Sequence, residues 1–348
     1  MSSLLTPHSS LLTPHRLLVR GVNWIGDAVM STPALLRLRE ALPDTHITLL
    51  THEKLAGLWL RHPAVNEVIT FGAKEGVFSV ARRLRLAGFD AALVLPNSIR
   101  SGLEARLAGI PCRIGYAGNW RNWLLTEAVP WRTNVVKMRK RTAEEVRRLV
   151  ASGQDAQQRV PTTPSSSHHI FHYLHLAAAL GAKPEPLAPH IAVTDAEVAA
   201  VQAKFNLPDG MLIGLNAGAE YGPAKRWPAD RFSATAKELR ARLNCSFLIF
   251  GGPADNALAA EIAATLAISG QRSAVSVTNL AARTSLRELC AALRACRVVL
   301  TNDTGPMHLA AAVGTRVVAL FGSTSPELTG PGHPGDAGHI LLRGNAPC

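Results

Sequence analysis

Residues 301–326 read TNDTGPMHLAAAVGTRVVALFGSTSP. The apolar run RVVL at 297–300 leads into Asn302-Asp303-Thr304-Gly305-Pro306, and a small-residue stretch at 307–313 precedes a second apolar run at 316–321. The pattern predicts strand, tight turn, short helix, strand. Asp303 or Thr304 can cap the helix, and Pro306 suits its first turn. A helix start at this turn points free N–H groups and the positive end of the helix dipole into the loop, where a phosphate would be held. Read for chemistry, the segment grips a nucleotide diphosphate and its sugar. Read for structure alone, it is a well-capped βαβ unit.

Working outward, strands are expected at 212–215, 247–250, 274–277, 298–300 and 317–321. Helices are expected at 195–205, 229–243, 254–267, 286–295 and 306–313. The N-terminal half repeats the alternation, with strands at 16–22, 47–51, 68–71, 91–95 and 113–116. Its helices are expected at 28–42, 54–61, 77–87, 99–107 and 168–180. Alternation of this kind specifies parallel sheets covered on both faces, with ligands beyond the C-terminal strand ends. The expected organisation is a disordered extension at 1–15, which holds SSLLTPH twice, then one domain at 16–188 and a second at 189–348. Residues 151–167, rich in Gln, Ser, Thr and Pro, read as a flexible insertion of the first domain.

The chain has 348 residues and a formal net charge of +12. Residues 1–194 hold 23 Lys and Arg against 13 Asp and Glu, and residues 195–348 hold 14 against 12. A basic half suits an anionic partner or serves solubility. Nucleic-acid motifs are absent, so no nucleic-acid partner is expected. The five cysteines lack metal-type spacing and read as reduced cytosolic thiols. His168, His169, His172 and His175 have helical spacing, but no carboxylate or Cys joins them, so no metal site is expected.

Three loops stand out. In GVNWIGD, Asp27 sits at a strand-to-helix turn, as a cap or as a carboxylate that accepts a proton from a hydroxyl. The second loop, NAGAEYGPAKRWP at 216–228, offers Gly218 and Gly222 for close approach of backbone to a ligand, and Lys225 and Arg226 as positive charge. It is not a Walker A loop. The third is the opening segment, where His308 lies four residues after Thr304, either facing a ligand with it or packed in the core. The run Lys137-Met138-Arg139-Lys140-Arg141 is a solvated helix face or a basic lip over an acidic acceptor or a membrane surface.

On RGVNWIGDAVMSTPAL (20–35), NAGAEYGPAKRWP (216–228) and TNDTGPMHLAAAVGTRVVALFGSTSP (301–326), the chain resembles glycosyltransferase family 9. Within that family the second motif is closest to the group that adds a heptose to the heptose of a lipopolysaccharide inner core. The resemblance implies the GT-B architecture: an α/β chain of two Rossmann-like, doubly wound domains facing across a cleft. The N-terminal domain would bind the acceptor and the C-terminal domain the donor, ADP-heptose. Asp27 matches the family's base. Lys225 matches the lysine that neutralises the donor phosphates. Asp303, Thr304 and Gly305 match the element that binds donor sugar and diphosphate, followed by His308. Gly218, Glu220 and Tyr221 belong to the same donor side, and Lys137, Arg139 and Lys140 are assigned to the acceptor. The implied reaction inverts the anomeric centre and uses no cofactor and no metal. The implied acceptor is a phosphorylated, Kdo-bearing lipid A core at the cytoplasmic face of the inner membrane. Peripheral contact with that membrane and a monomeric state are expected. A first-heptose acceptor, another family 9 transfer, a nucleotide-sugar epimerase and a non-catalytic ligand-binding protein remain the alternatives.

Overall fold

The computed structural model describes residues 13–118, 120–133, 144, 158–159, 167–220, 225–267 and 276–344. They form two compact units. Unit 1 draws on 13–133 and 169–188, and unit 2 on the remainder. Among the described residues no helix is long and apolar enough to cross a membrane.

Unit 1 is built on six parallel strands: β1 (Arg16–Arg20), β2 (His46–His52), β3 (Glu67–Phe71), β4 (Ala91–Val94), β5 (Cys112–Tyr116) and β6 (Glu127–Val129). Their order is β3-β2-β1-β4-β5-β6, a doubly wound sheet. β1 and β4 read as unbroken buried runs, as central strands covered on both faces must. The order reverses between β1 and β4, where Arg20 pairs with Leu50 on one side and Val94 on the other. The helices are α1 (Ile25–Ala41), α2 (Val77–Ala87), α3 (Ile99–Leu107) and α4 (Ile170–Ala178). α2 stops at Gly88, whose φ of 65° is the left-handed cap that glycine takes without strain. α3 starts at Ser98, whose hydroxyl accepts from the Ser101 N–H. Pro33 inside α1 has no N–H to give Val29, and the Thr32 hydroxyl donates to that carbonyl instead, at 2.8 Å. The stretch expected as a helix at 54–61 is a short 3₁₀ turn, Glu53–Leu58.

Unit 2 holds β7 (Gln158–Arg159), β8 (Met211–Asn216), β9 (Cys245–Phe250), β10 (Val277–Asn279), β11 (Val298–Asn302), β12 (Arg316–Phe321) and β13 (Ile340–Arg343), in the order β10-β9-β8-β11-β12-β13-β7. All pairs are parallel except β13 with β7. Its helices are α5 (Asp195–Phe205), α6 (Ala229–Arg242), α7 (Asn256–Ala267), α8 (Leu286–Ala295), α9 (Gly305–Ala312) and α10 (Pro326–Thr329). α5 and α8 open with capping boxes, Thr194 with Glu197 and Ser285 with Glu288. Ile213, Leu215, Phe232, Phe247, Ile249 and Ile262 are at the centre of a core between the sheet and its helices.

Two further expectations change. Gln158 and Arg159, expected in a flexible insertion of the first domain, form an edge strand of the second sheet, opposite Arg343 and Leu342. A two-residue strand has no periodicity to read, and β13 offers the open N–H and C=O row that such a segment pairs with. At the start, Pro14 and His15 belong to the fold: their carbonyls accept from Thr45 Oγ1 at 2.7 Å and from the His46 N–H at 2.9 Å. Residues 1–12 of the expected extension lie outside the described residues.

Candidate functional site

In unit 1 the chain leaves β1 through Gly21, whose N–H donates to the Leu50 carbonyl at 2.9 Å. A Cβ there would lie 3.2 Å from both Leu49 Cδ1 and Leu50 O, so the close approach favours glycine. Trp24 occupies the N-cap of α1 without a side-chain cap, and Asp27 follows in the first turn. Tyr173 of α4 donates its hydroxyl to Asp27 Oδ1 at 3.1 Å. Burial raises the Asp27 carboxyl above its ordinary pKa, while the Tyr173 hydrogen bond and the charge of His169 pull it back down. Burial also holds Tyr173 well above the usual phenol range, so it stays a donor.

Asp27 opens onto a cavity of about 310 Å³, with Trp24, Asn97, Ser98, His169 and His172 among its walls. Burial and neighbouring positive groups lower His172 to about 4, so its imidazole is neutral at physiological pH. The loop between β1 and α1 is fastened from below. Arg20, 2% exposed, donates through Nη1 to Gly21 O at 2.6 Å and Asn23 Oδ1 at 3.2 Å. Its Nε donates to Glu104 Oε2 at 2.8 Å, and Arg100 Nε holds the other carboxylate oxygen at 2.8 Å. A fully buried guanidinium requires such a partner.

In unit 2 two asparagines at strand ends lock the loops that follow. Asn216, ending β8, donates to the hydroxyls of Thr301 and Thr304, both at 2.9 Å. Asn302, ending β11, donates to Ala217 O at 2.7 Å and accepts from the Trp227 N–H at 3.0 Å. Lys225 Nζ donates to Asp303 Oδ2 at 2.8 Å, and Asp303 is only 6% exposed. Neither Asp303 nor Thr304 supplies a side-chain cap. Thr304 stands at the N-cap of α9 with its hydroxyl turned to Asn216, and Asp303 is taken by Lys225. Gly305 begins α9 and His308 is buried on it. At Gly218 a Cβ would fall 2.3 Å from the Asp255 carboxyl, which is itself fixed by Arg226 Nη2 at 3.2 Å and the Gly252 N–H at 3.1 Å. Glu220 is exposed at the end of this loop. Tyr221, Lys137, Arg139 and Lys140 lie outside the described residues.

The structure therefore gathers Lys225, Asp303, Thr304, Gly305 and Gly218 at the C-terminal ends of β8 and β11, and places Asp27 in the other unit. Sequence reasoning missed Tyr173, Asn216, Asn302 and the Arg20–Glu104 pair. Tyr173 is 146 positions from Asp27, and nothing local to its helix marks it as a partner. Asn216 and Asn302 carried a signal, since each is a polar residue closing an apolar strand. Of the four histidines at 168–175, His169 and His172 stay together on the wall of the Asp27 cavity, with ring centres 5.2 Å apart, while His168 and His175 take other partners. His168 Nε2 lies 3.0 Å from Gly330 O, and His175 Nδ1 lies 3.0 Å from the Tyr116 hydroxyl. Among the described residues no group of three or more His, Cys, Asp or Glu side chains could hold a metal ion.

Known proteins resemble this chain along most of its length. The description "Glycosyltransferase family 9 (heptosyltransferase)" matches residues 136–348. The lipopolysaccharide heptosyltransferase 2 of Salmonella typhimurium is 32% identical over 91% of this chain and 85% of its own. The lipooligosaccharide heptosyltransferase 2 of Haemophilus ducreyi is 33% identical over 91% and 86%. Among solved structures, the ADP-heptose LPS heptosyltransferase II of E. coli superposes with a TM-score of 0.74 at 28% identity, covering 95% of this chain and 93% of that one. With two doubly wound sheets, polar loops at the strand ends and identity above 30% along nearly the whole length, the chain belongs to glycosyltransferase family 9, the heptosyltransferases, and is a glycosyltransferase.

Proposed function

We propose that the enzyme moves a heptose from ADP-L-glycero-D-manno-heptose onto the heptose of the lipopolysaccharide inner core, with inversion at the anomeric carbon. The observation that carries this reading is Asp27: a carboxylate held by Tyr173, raised by burial, and open to a cavity of about 310 Å³ with mixed polar and apolar walls. In this reading the acceptor hydroxyl gives its proton to Asp27 as its oxygen attacks the anomeric carbon, and ADP departs. A base whose pKa is raised toward the working pH transfers a proton more effectively than an ordinary carboxylate.

The leaving diphosphate gains negative charge as the glycosidic bond breaks. Lys225 meets that charge, and the N-terminus of α9 at Gly305 adds its dipole and free N–H groups. Asp303 aims Lys225 and contacts the donor sugar. Thr304 and the glycine at 218 complete the donor side, to which Glu220, Tyr221 and His308 are also assigned. Lys137, Arg139 and Lys140 are assigned to the phosphates of a Kdo-bearing lipid A core. An acceptor of that kind places the enzyme at the cytoplasmic face of the inner membrane, in peripheral contact with it.

The test is incubation of the protein with ADP-heptose and mono-heptosylated core lipid. The expected result is ADP release matched by a gain of one heptose in the mass of the lipid. ADP release that does not depend on the acceptor overturns the reading.

A further inference from the structure

Five large apolar side chains among the described residues are more than half exposed: Phe78 at 77%, Leu86 at 83%, Ile99 at 51%, Trp120 at 93% and Trp123 at 60%. All five lie on three adjoining elements of unit 1, namely α2, α3 and the turn between β5 and β6. On α2, Phe78, Arg82 and Leu86 follow at i, i+4 and i+8 on one face, while Val80, Ala81 and Leu84 are buried on the other. On α3, Ile99 and Arg106 share the face opposite the buried Ser101, Gly102, Glu104 and Ala105. Arg85 of α2 donates to the Leu107 carbonyl of α3 at 2.6 Å, and Arg106 of α3 donates to the Trp123 carbonyl at 2.8 Å. These contacts make the three elements neighbours on the surface of unit 1.

Several contacts hold the residues that present the two indoles. Arg121 and Leu124 anchor this turn with no exposure at all. Asn122 Oδ1 accepts from the Gly118 N–H at 2.7 Å, and the Arg121 guanidinium donates to the Pro96 carbonyl. Trp120 has a φ of 56°, a left-handed conformation that a bulky side chain adopts only when its surroundings enforce it. The Trp123 indole N–H donates to the Trp120 carbonyl at 3.0 Å, so what the ring offers outward is apolar. The Arg106 guanidinium lies 5.2 Å from the centre of that ring.

The face has an excess of positive charge. α2 and residues 118–126 contain no acidic residue, and the only one on α3, Glu104, is buried against Arg20 and Arg100; at the borders Glu75 is paired with Arg83, and Glu127 is exposed at the start of β6. Arg82, Arg85 and Arg106 remain. Indole and aliphatic side chains interleaved with arginines are the chemistry of the lipid headgroup boundary, where rings insert and guanidinium groups meet phosphate. We propose that this face of α2, α3 and the β5–β6 turn docks on a phospholipid surface bearing anionic headgroups. It supplies a surface for the membrane contact proposed above, and it is read without donor or acceptor, so it stands or falls separately from the transfer reaction.

The experiment is flotation of the full chain with vesicles of phosphatidylcholine alone and of phosphatidylcholine mixed with phosphatidylglycerol. The chain is expected to float with the mixed vesicles and to be released by salt. The triple variant Phe78→Ser, Trp120→Ser, Trp123→Ser is expected to partition about tenfold more weakly, and Arg82→Glu by a similar factor. The triple variant is expected to turn over a soluble, delipidated core oligosaccharide as the parent does. Absence of the parent from the mixed vesicles, or variants that float like the parent, overturns the proposal. A loss of turnover on the soluble oligosaccharide overturns it too, and makes the face a sugar-binding or partner-binding surface.

Discussion

Tyr173 donates its hydroxyl to Asp27 across 3.1 Å and so ties α4, which returns late in the chain, to the first turn of α1. A carboxylate in this position is subject to two opposed influences. Burial favours its protonated form, and the phenol, together with the His169 charge, favours its ionised form.

Removing the phenol leaves burial opposed only by the charge of His169. Tyr173→Phe is therefore expected to move the acid limb of the kcat/KM profile to higher pH. At neutral pH the loss is expected to be about ten- to a hundredfold, in line with roughly 1.5–3 kcal/mol for a hydrogen bond to a charged group. A pH–rate series on both proteins checks this, and an unmoved limb would detach Tyr173 from the base.

Asp27→Asn keeps the shape and an acceptor for Tyr173 but cannot take a proton. Turnover is expected to fall at least about a hundredfold, the lower range for loss of a general base, with donor affinity unchanged. The same change should stabilise the fold at neutral pH. The folded-state pKa of Asp27 lies above its unfolded value, so stability declines as pH rises through the window between them and remains reduced above it. Melting curves of both proteins should diverge at neutral pH and converge once the pH is low enough to protonate Asp27. Divergence of the opposite sign would contradict the burial account.

Lys225→Ala deletes the cation that Asp303 holds at 2.8 Å. A charge-assisted contact to a diphosphate is worth roughly 1.5–3 kcal/mol, so ADP affinity is expected to fall about ten- to a hundredfold. Calorimetric titration with ADP measures this directly, and an unaltered Kd removes Lys225 from the phosphate site.

The Arg20–Glu104 pair is a structural prediction. Glu104→Ala leaves the Arg20 charge buried and is expected to cost about 3–5 kcal/mol in urea unfolding. Arg20→Met together with Glu104→Leu should recover part of that loss, because it removes the stranded charge as well. Equal stability of the single variant and the parent would show that the pair is not needed.

Gly218→Ala places a methyl where the Asp255 carboxyl already lies, 2.3 Å from the new Cβ. The expected cost is about 1–3 kcal/mol of stability, from displacement of a carboxyl that Arg226 and Gly252 hold in place. Pairing it with Asp255→Ser should restore part of the loss in a thermal melt. No difference between Gly218→Ala and the parent would show that the loop yields freely.

The residues alone determined the two doubly wound sheets, because strand runs such as RLLVR and AALV and the punctuation at Gly88 and Ser98 act over a few positions. α2 and α3 begin and end where the pattern places them for that reason. The motifs around Asp27, Lys225 and Asp303 were likewise visible as loops after strands. Tertiary structure decided what those side chains touch. Asp303 and Thr304, each able to cap α9 by local geometry, are drawn instead to Lys225 and Asn216, 78 and 88 positions away. Tyr173 reaches Asp27, and Gln158–Arg159 joins the second sheet, through contacts that no window of sequence contains. Hydrophobic period and turn chemistry are properties of neighbours in the chain. Hydrogen-bond partners are chosen by what the folded backbone brings within about 3 Å.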